Sequence, residues 1–434
     1  MKFETLIAAV TCNGSTEEFI HKHRIEDVRR LALQMSKYPD MDAAYVLDQI
    51  RGWQIACAKL PTWAAADGVV YPPHLSMEQC SSEATALYKA RLAVRLAKAL
   101  EVAAPPAGGQ GGFVDITGGF GVDFSFISSA LQMPSVYVER NESLCALAHH
   151  NFPLLGISNA EVVCGDGVDY AHSLENAAIV LIDPARRDQN GARTYGIEDC
   201  TPNILELLPM LMAKTGFVMV KLSPMLDWHS AVRDIDNILE GSRVSEVHIV
   251  SVANECKELV LVVSHSADPL SVVCVNDGQV FTFRPPCPPV GGVVTSKSIL
   301  TPPIGGQGGF YLLEPNASLM KAGCFNAVAA RYGVKVMAQN SHLLVSPVDV
   351  GDFPGRRFFV DAVSAMNKKE LKAMLAGIDR ANIAVRNFPM SVADLRKKLK
   401  LRDGGDIYLF ATTTAEGERI ILRCSRVVTC NGRK

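Results

Sequence analysis

Apolar and polar positions change rhythm along this chain, and the changes divide it into a helical opening, an alternating middle and a β-rich end. In the opening, Val46, Ile50, Trp53 and Cys57 recur at helical spacing, and Ser15-Thr16-Glu17-Glu18 has the form of a capping box. Ser81 or Ser82 is placed to cap a long Ala/Leu/Arg helix running to about 103. Residues 104–112, rich in Pro and Gly, mark a joint. Beyond it the pattern predicts a strand to 116, helix near 122–132, strand 135–138, helix 142–151, strand 160–164, helix 169–174 and strand 178–182. A helix over 201–212, a buried strand over 216–222 and a helix over 227–239 follow, and strands 244–252 and 258–263 flank a turn at 253–257 as a hairpin. The βαβα order predicts a parallel sheet with helices on both faces, and ligands collect beyond the carboxyl ends of such strands.

The end of the chain reads differently. From 267 to about 311, short strands such as Val280-Phe281-Thr282-Phe283 and prolines at 285, 286, 288, 289, 302 and 303 predict a small β-containing module. Residues 311–318 either return to the main sheet or pack on a helix over 317–331; the pattern leaves both open. The last part alternates strand 357–363, helix 368–376, strand 381–387, helix 391–399 and strands 406–411 and 419–424, a compact α+β unit. Ser391 is placed to cap the helix that bears Arg396, Lys397, Lys398 and Lys400.

Composition narrows the class. At 434 residues, with 48% apolar and 20% charged residues, the chain is globular and too long for one ordinary core. Its twelve cysteines are scattered without a C-x-x-C pair, and neither they nor His149-His150 have metal-ligand spacing, so reduced thiols, a cytoplasmic location and no metal are expected. No apolar stretch is long enough to span a bilayer, and the first ten residues lack a cleavage-site pattern. The net charge of −2 conceals an asymmetry: from Arg356 to Lys434 there are 17 basic against 8 acidic residues, which leaves the rest strongly acidic. A basic end on an acidic body points to a polyanionic partner.

Candidate chemistry lies at the ends of the predicted strands. Val114-Asp115-Ile116-Thr117-Gly118-Gly119-Phe120-Gly121 joins strand to helix through a glycine turn, which brings backbone close to a ligand. The dinucleotide pattern G-x-G-x-x-G does not fit, because at least one of its glycine positions is unfilled. The stretch instead resembles the first motif of class I S-adenosylmethionine (SAM)-dependent methyltransferases, an acid shortly before a G-x-G-type turn. Glu139 then ends the second strand, Val162-Val163-Cys164-Gly165-Asp166-Gly167 resembles the acidic loop of that fold, and Ile182-Asp183-Pro184-Ala185-Arg186 resembles its catalytic loop. A closing antiparallel hairpin suits the same fold and not a dehydrogenase.

Taken with E-Q-C-S-S-E-A-T-A-x-Y-K-A, K-L-S-P, N-E-C-K-E-L, Y-L-x-E-P-N-A and R-K-K-L-K-L-R-D-G-G-D, nearly the whole chain resembles a bacterial family of class I SAM-dependent methyltransferases with a ferredoxin-like insert and a C-terminal THUMP-like domain. The resemblance implies a Rossmann-like seven-stranded methyltransferase sheet, with a helical domain over 1–103, a methyltransferase domain over 104–266, a ferredoxin-like module over 267–330 and a THUMP-like α+β domain over 331–434. It implies SAM held by Asp115, Thr117, Gly118, Gly119, Gly121, Glu139, Arg140, Asp166 and Gly167. Asp115 would take the ammonium group, Glu139 the ribose and Asp166 the adenine amine. Asp183, Pro184 and Arg186 would form the catalytic loop, although it lacks the second proline and the aromatic residue of exocyclic-amine methylases. THUMP domains are associated with RNA, so Arg386, Arg396, Lys397, Lys398 and Lys400 are the expected RNA contacts. A small-molecule or protein substrate, and binding without transfer, stay open as alternatives. Cysteine-based carbon methylation is disfavoured, since the loop after the fifth strand has no thiol and Cys256 reads as incidental.

Overall fold

Residues 14–102, 111–186, 196–287, 309–338 and 340–427 are described by the computed structural model of the chain. They divide into two units: Met1–Val252 with Lys257–Leu270, and Ala253–Cys256 with Ser271–Lys434. No helix among the described residues is long and apolar enough to cross a membrane.

The first unit opens with helices α1 (Gly14–His23), α2 (Val28–Ala32), α3 (Ala43–Lys59), α4 (Pro61–Ala65), α5 (His74–Gln79) and α6 (Glu83–Val102). Ser15 lies inside α1 and is not its cap, whereas Ser82 Oγ accepts the N–H of Thr85 at the start of α6. Although 1–103 was expected to form a helical domain, these helices share one unit with the sheet. The reason is α6, whose Ala90, Ala93 and Leu96 are buried in one cluster with Phe113, Phe124, Tyr137 and Val260. A second cluster joins Trp63, Tyr71 and Met77 to Phe120, Val122 and Leu147.

Strands and helices then alternate: β1 (Phe113–Asp115), α7 (Val122–Leu131), β2 (Ser135–Glu139), α8 (Glu142–Leu154), β3 (Ala160–Cys164), α9 (Gly167–Ser173) and β4 (Ala177–Ile182). A two-residue pair, β5 (Ala185–Arg186) with β6 (Cys200–Thr201), precedes α10 (Ile204–Met212), β7 (Thr215–Leu222), α11 (Trp228–Asp236), β8 (Arg243–Val252) and β9 (Glu255–Ser264). Within the first unit the strands run β3-β2-β1-β4-β7-β9-β8, with β1, β2, β3, β4 and β7 parallel and β9 antiparallel to β7. The strand order reverses at β1, which opens a crevice at the ends of β1 and β4. Ala177–Ile182 is buried at every position, as a central parallel strand requires. The β8–β9 turn is only Ala253-Asn254, shorter than 253–257, because both residues adopt left-handed φ (50° and 61°) and close a tight hairpin.

The second unit holds the hairpin β10 (Ser271–Asn276) and β11 (Gln279–Phe283), then β12 (Phe310–Pro315), α12 (Ala317–Ala322), α13 (Phe325–Tyr332), β13 (Lys335–Val336), β14 (Leu344–Ser346), β15 (Gly355–Ala365), α14 (Lys368–Met374), β16 (Asn382–Arg386), α15 (Val392–Leu399), β17 (Ile407–Thr413) and β18 (Arg419–Arg426). Strands β12 to β18 form one sheet in the order β13-β14-β12-β15-β18-β17-β16, so residues 311–315 pair with β14 and β15. The helix expected over 317–331 is two helices, because Gly323 takes a left-handed φ of 66° and ends α12.

Candidate functional site

The turn after β1 is built around contacts that only glycine permits. A Cβ on Gly118 would lie 2.2 Å from the Tyr137 ring, while Gly119 (φ 57°) and Gly121 (φ 83°) occupy left-handed backbone. Gly118 N–H is bound by Val138 O at 2.9 Å, and the Tyr137 hydroxyl donates to Gly119 O. The turn is thereby pinned across the end of β2. Glu139, last in β2, accepts from Gly119 N–H (2.9 Å) and Asn141 N–H (2.8 Å). Asp166 caps α9 by accepting from Val168 N–H at 2.8 Å. Gly167 packs so closely that a Cβ would stand 2.0 Å from Ile116 O.

Asp115 is 3% exposed, and its Oδ1 accepts from Thr117 N–H at 2.9 Å. Burial, reinforced by Asp123 and Asp183 and opposed by that hydrogen bond, pushes its carboxyl up to about 7. Thr117 Oγ1 in turn accepts the backbone N–H of Asp183 at 2.7 Å, joining the glycine turn to the loop after β4. The Asp183 side chain is half exposed and pairs with Lys221 Nζ at 2.5 Å. The expected cofactor residues therefore line one cavity of about 890 Å³ with Arg140, Asp183 and Pro184, within the range of roughly 300–1,000 Å³ of ligand clefts. The side chain of Arg186 lies outside the described residues.

Sequence reasoning missed what lies beside this cavity. Lys89 and Glu258 form a buried ion pair, and Lys89 also meets Asp123 Oδ1 at 3.2 Å. Ser81 donates to Asp123 Oδ2 at 2.8 Å, and Lys221 stands 3.4 Å from the same oxygen. Burial alone would raise the Asp123 pKa, yet the Lys89 and Lys221 ammoniums bring it below its ordinary value. Burial would lower that of Lys221, but Asp183 and Asp123 hold it above the usual range. The available signal was that Ser81, Lys89, Lys221 and Glu258 fall in the motifs E-Q-C-S-S-E-A-T-A-x-Y-K-A, K-L-S-P and N-E-C-K-E-L, and that Asp123 follows the glycine turn by two residues.

Cys80 and Cys200 line the cavity. Burial pushes the Cys80 thiol up, with the Lys59 and Lys221 ammoniums opposing it. Cys256 is half buried, belongs to the second unit and is not among the cavity's lining residues. Among the described residues no group of three or more His, Cys, Asp or Glu is placed to hold a metal.

In the second unit Lys397, Lys398 and Lys400 are exposed on and just after α15. Arg396 departs from the expected free basic face: its guanidinium donates to Ala381 O at 3.0 Å and pairs with Asp403 at 2.6 Å. Arg386 pairs at 2.7 Å with Glu314, a buried carboxylate that also binds Arg356. Two guanidiniums on one carboxylate leave that cluster cationic.

The strand order and the ring of strand-end carboxylates define a class I SAM-dependent methyltransferase. The donor set fits the cofactor: hydrogen-bond acceptors face a ligand rich in donors and positive charge, and a Cβ on Gly119 would enter space where the nearest atom is 3.8 Å away. Comparison with known proteins agrees. The model of a ferredoxin-like domain matches residues 311–354, and that of a THUMP domain-like family matches 355–426. An uncharacterized S-adenosylmethionine-dependent methyltransferase of Mycobacterium tuberculosis is 24% identical over 279 residues, covering 63% of this chain and 69% of that protein. The crystal structure of a Porphyromonas gingivalis W83 protein, a candidate methyltransferase, superposes with a TM-score of 0.76 at 28% identity, covering 95% of this chain and 98% of that one. The chain is a SAM-dependent methyltransferase with S-adenosylmethionine as cofactor, and it carries segments that match ferredoxin-like and THUMP-like domains.

Proposed function

We propose that this protein is a cytoplasmic enzyme that methylates a base in RNA, with the first unit performing the chemistry and the THUMP-like domain capturing the substrate. The observation that carries this reading is the set of four strand-end carboxylates, Asp115, Glu139, Asp166 and Asp183, around one cavity, in a chain whose other end is basic. The cofactor supplies an electrophilic methyl group on a sulfonium.

The residues around it position, shield and accept. Asp115 and the turn Thr117, Gly118, Gly119 and Gly121 hold the amino-acid end, Glu139 and Arg140 the ribose side, and Asp166 with Gly167 the adenine side. Asp183 accepts a hydrogen of the acceptor group, and Pro184 stiffens the loop behind it. Arg186 is assigned to phosphate. Lys397, Lys398 and Lys400 contribute long-range attraction, while Arg386 and Arg396, each already anchored by a carboxylate, present preorganised donors. Free thiols throughout the described residues support a reducing compartment.

The test is transfer of labelled methyl from SAM to total RNA of a strain lacking the protein, followed by mass spectrometry of the nucleosides. One methylated nucleoside is expected. Label confined to protein or small molecules, or no transfer by protein that binds SAM in calorimetry, overturns the reading.

A further inference from the structure

Three stretches without a role in the chemistry above meet beside the cavity. They contribute Ser81 from just before α6 and Lys89 from its second turn, Lys221 from the end of β7 and Glu258 from β9. Together with Asp123 in the first turn of α7 they form a file of alternating carboxyl and ammonium groups: Glu258, Lys89, Asp123, Lys221, Asp183. Lys89 is fully buried and Glu258 nearly so, whereas the Asp183 side chain at the far end is 42% exposed. Burying such groups stabilises a fold no better than well-packed apolar residues would, so the file calls for an explanation in what it holds.

What it holds is the carboxylate of Asp183. That residue follows β4 in a segment without regular structure, and its backbone is fixed by Thr117 Oγ1. Its side chain is fixed separately, through Oδ2, by Lys221. Lys221 is itself held by Asp123, and Asp123 by Lys89 and Ser81. Each link sits on a different element, so the carboxylate is referenced to α6, α7, β7 and β9 together.

We infer that Lys221 is a positioning residue, which fixes the orientation of the Asp183 carboxylate toward the acceptor and is anchored in turn by the buried groups Asp123, Lys89 and Glu258. The inference rests on Asp183 being the residue that meets the acceptor. A lysine that only filled space would be replaceable by methionine, which matches its length and lacks its charge.

The test uses the full chain with SAM and total RNA from a strain lacking the protein, comparing wild type, Lys221→Met, Lys221→Arg, Asp183→Ala and the double variant Lys221→Met/Asp183→Ala. Misplacing a reacting group by about 1 Å costs about 100-fold, so Lys221→Met is expected to lower single-turnover transfer about 100-fold. Its SAM affinity by calorimetry should stay within about threefold of wild type, since an acceptor-side group adds little to cofactor binding. Lys221→Arg should recover part of the rate, and the double variant should be no slower than Asp183→Ala. Wild-type turnover in Lys221→Met, or an undiminished further loss in the double variant, overturns the inference.

If Lys221→Met does not fold, Lys221→Gln replaces it with the same expectations. A wild type that binds SAM but methylates no RNA refutes the functional reading instead. The positioning claim is then decided by the crystal structure of Lys221→Met, which must show the Asp183 carboxylate displaced; an unmoved carboxylate refutes it.

Discussion

Two clusters of charge, one in each unit, work in opposite ways. In the first, Lys89, Asp123 and Glu258 are buried, and every one of them is paired. In the second, Lys397, Lys398 and Lys400 stand in water on and beside α15. A buried charge has few places to go, so it acts through geometry and fails abruptly when its partner is removed. An exposed charge is screened and tolerant of change, so it acts through summed attraction at a distance. The contrast matches the division of labour proposed for the two units: fine placement of a small cofactor and acceptor in one, loose capture of a long polyanion in the other.

The comparison can be broken first at Lys89. Lys89→Met leaves Asp123 and Glu258 facing each other without their shared ammonium, and stability measured by denaturant unfolding should fall by about 3–5 kcal/mol. Unchanged stability would show that the buried file is not held as described. Next, Asp183→Ala should reduce methyl transfer by about 10²–10⁴-fold while calorimetry shows retained SAM binding, because the half-exposed carboxylate serves chemistry and not the core.

An effect of comparable size, accumulated across pH, concerns Asp115. Its folded value of about 7 lies above the unfolded value of about 3.9, so its contribution to stability is complete below pH ~4 and lost as pH rises through 7. In cofactor-free protein, Asp115→Asn should therefore gain on wild type by up to about 1.4 kcal/mol per pH unit between those limits, with no further change above pH ~7.5. Parallel pH–stability curves would refute the assignment. The smallest effect on the fold belongs to the second unit. Replacing Lys397, Lys398 and Lys400 by Gln should change stability by no more than about 0.5 kcal/mol, yet flatten the salt dependence of RNA binding by about 0.7 in log–log slope per lysine. An unchanged slope would place RNA capture elsewhere.

Much of the first unit was legible because its signals are local. Strands such as Ala177–Ile182 are unbroken apolar runs, and the glycine turn announces its own backbone needs at Gly118, Gly119 and Gly121. The buried file was not legible, because Lys89, Asp123, Lys221 and Glu258 lie far apart along the chain, and each alone reads as an ordinary helix or strand-end residue. Short elements also escaped: β5, β6, β13 and β14 span two or three residues, too few for any period to show. Gly323 is a different kind of miss. A glycine between Ala322 and Cys324 was a visible C-cap signal, outweighed by the helical pattern on both sides of it. The basic helix shows the converse limit, since sequence counted Arg396 as free charge while Asp403 and Ala381 O had already claimed it.

One hydroxyl, that of Thr117, touches both halves of the site: it lies against Asp115 and receives the amide of Asp183. A shift of the cofactor turn is therefore felt at the loop after β4 through one short, β-branched side chain, which has little freedom to absorb it. The cofactor turn and the loop that follows β4 are thus tied at a single threonine, and neither can move without carrying strain to the other.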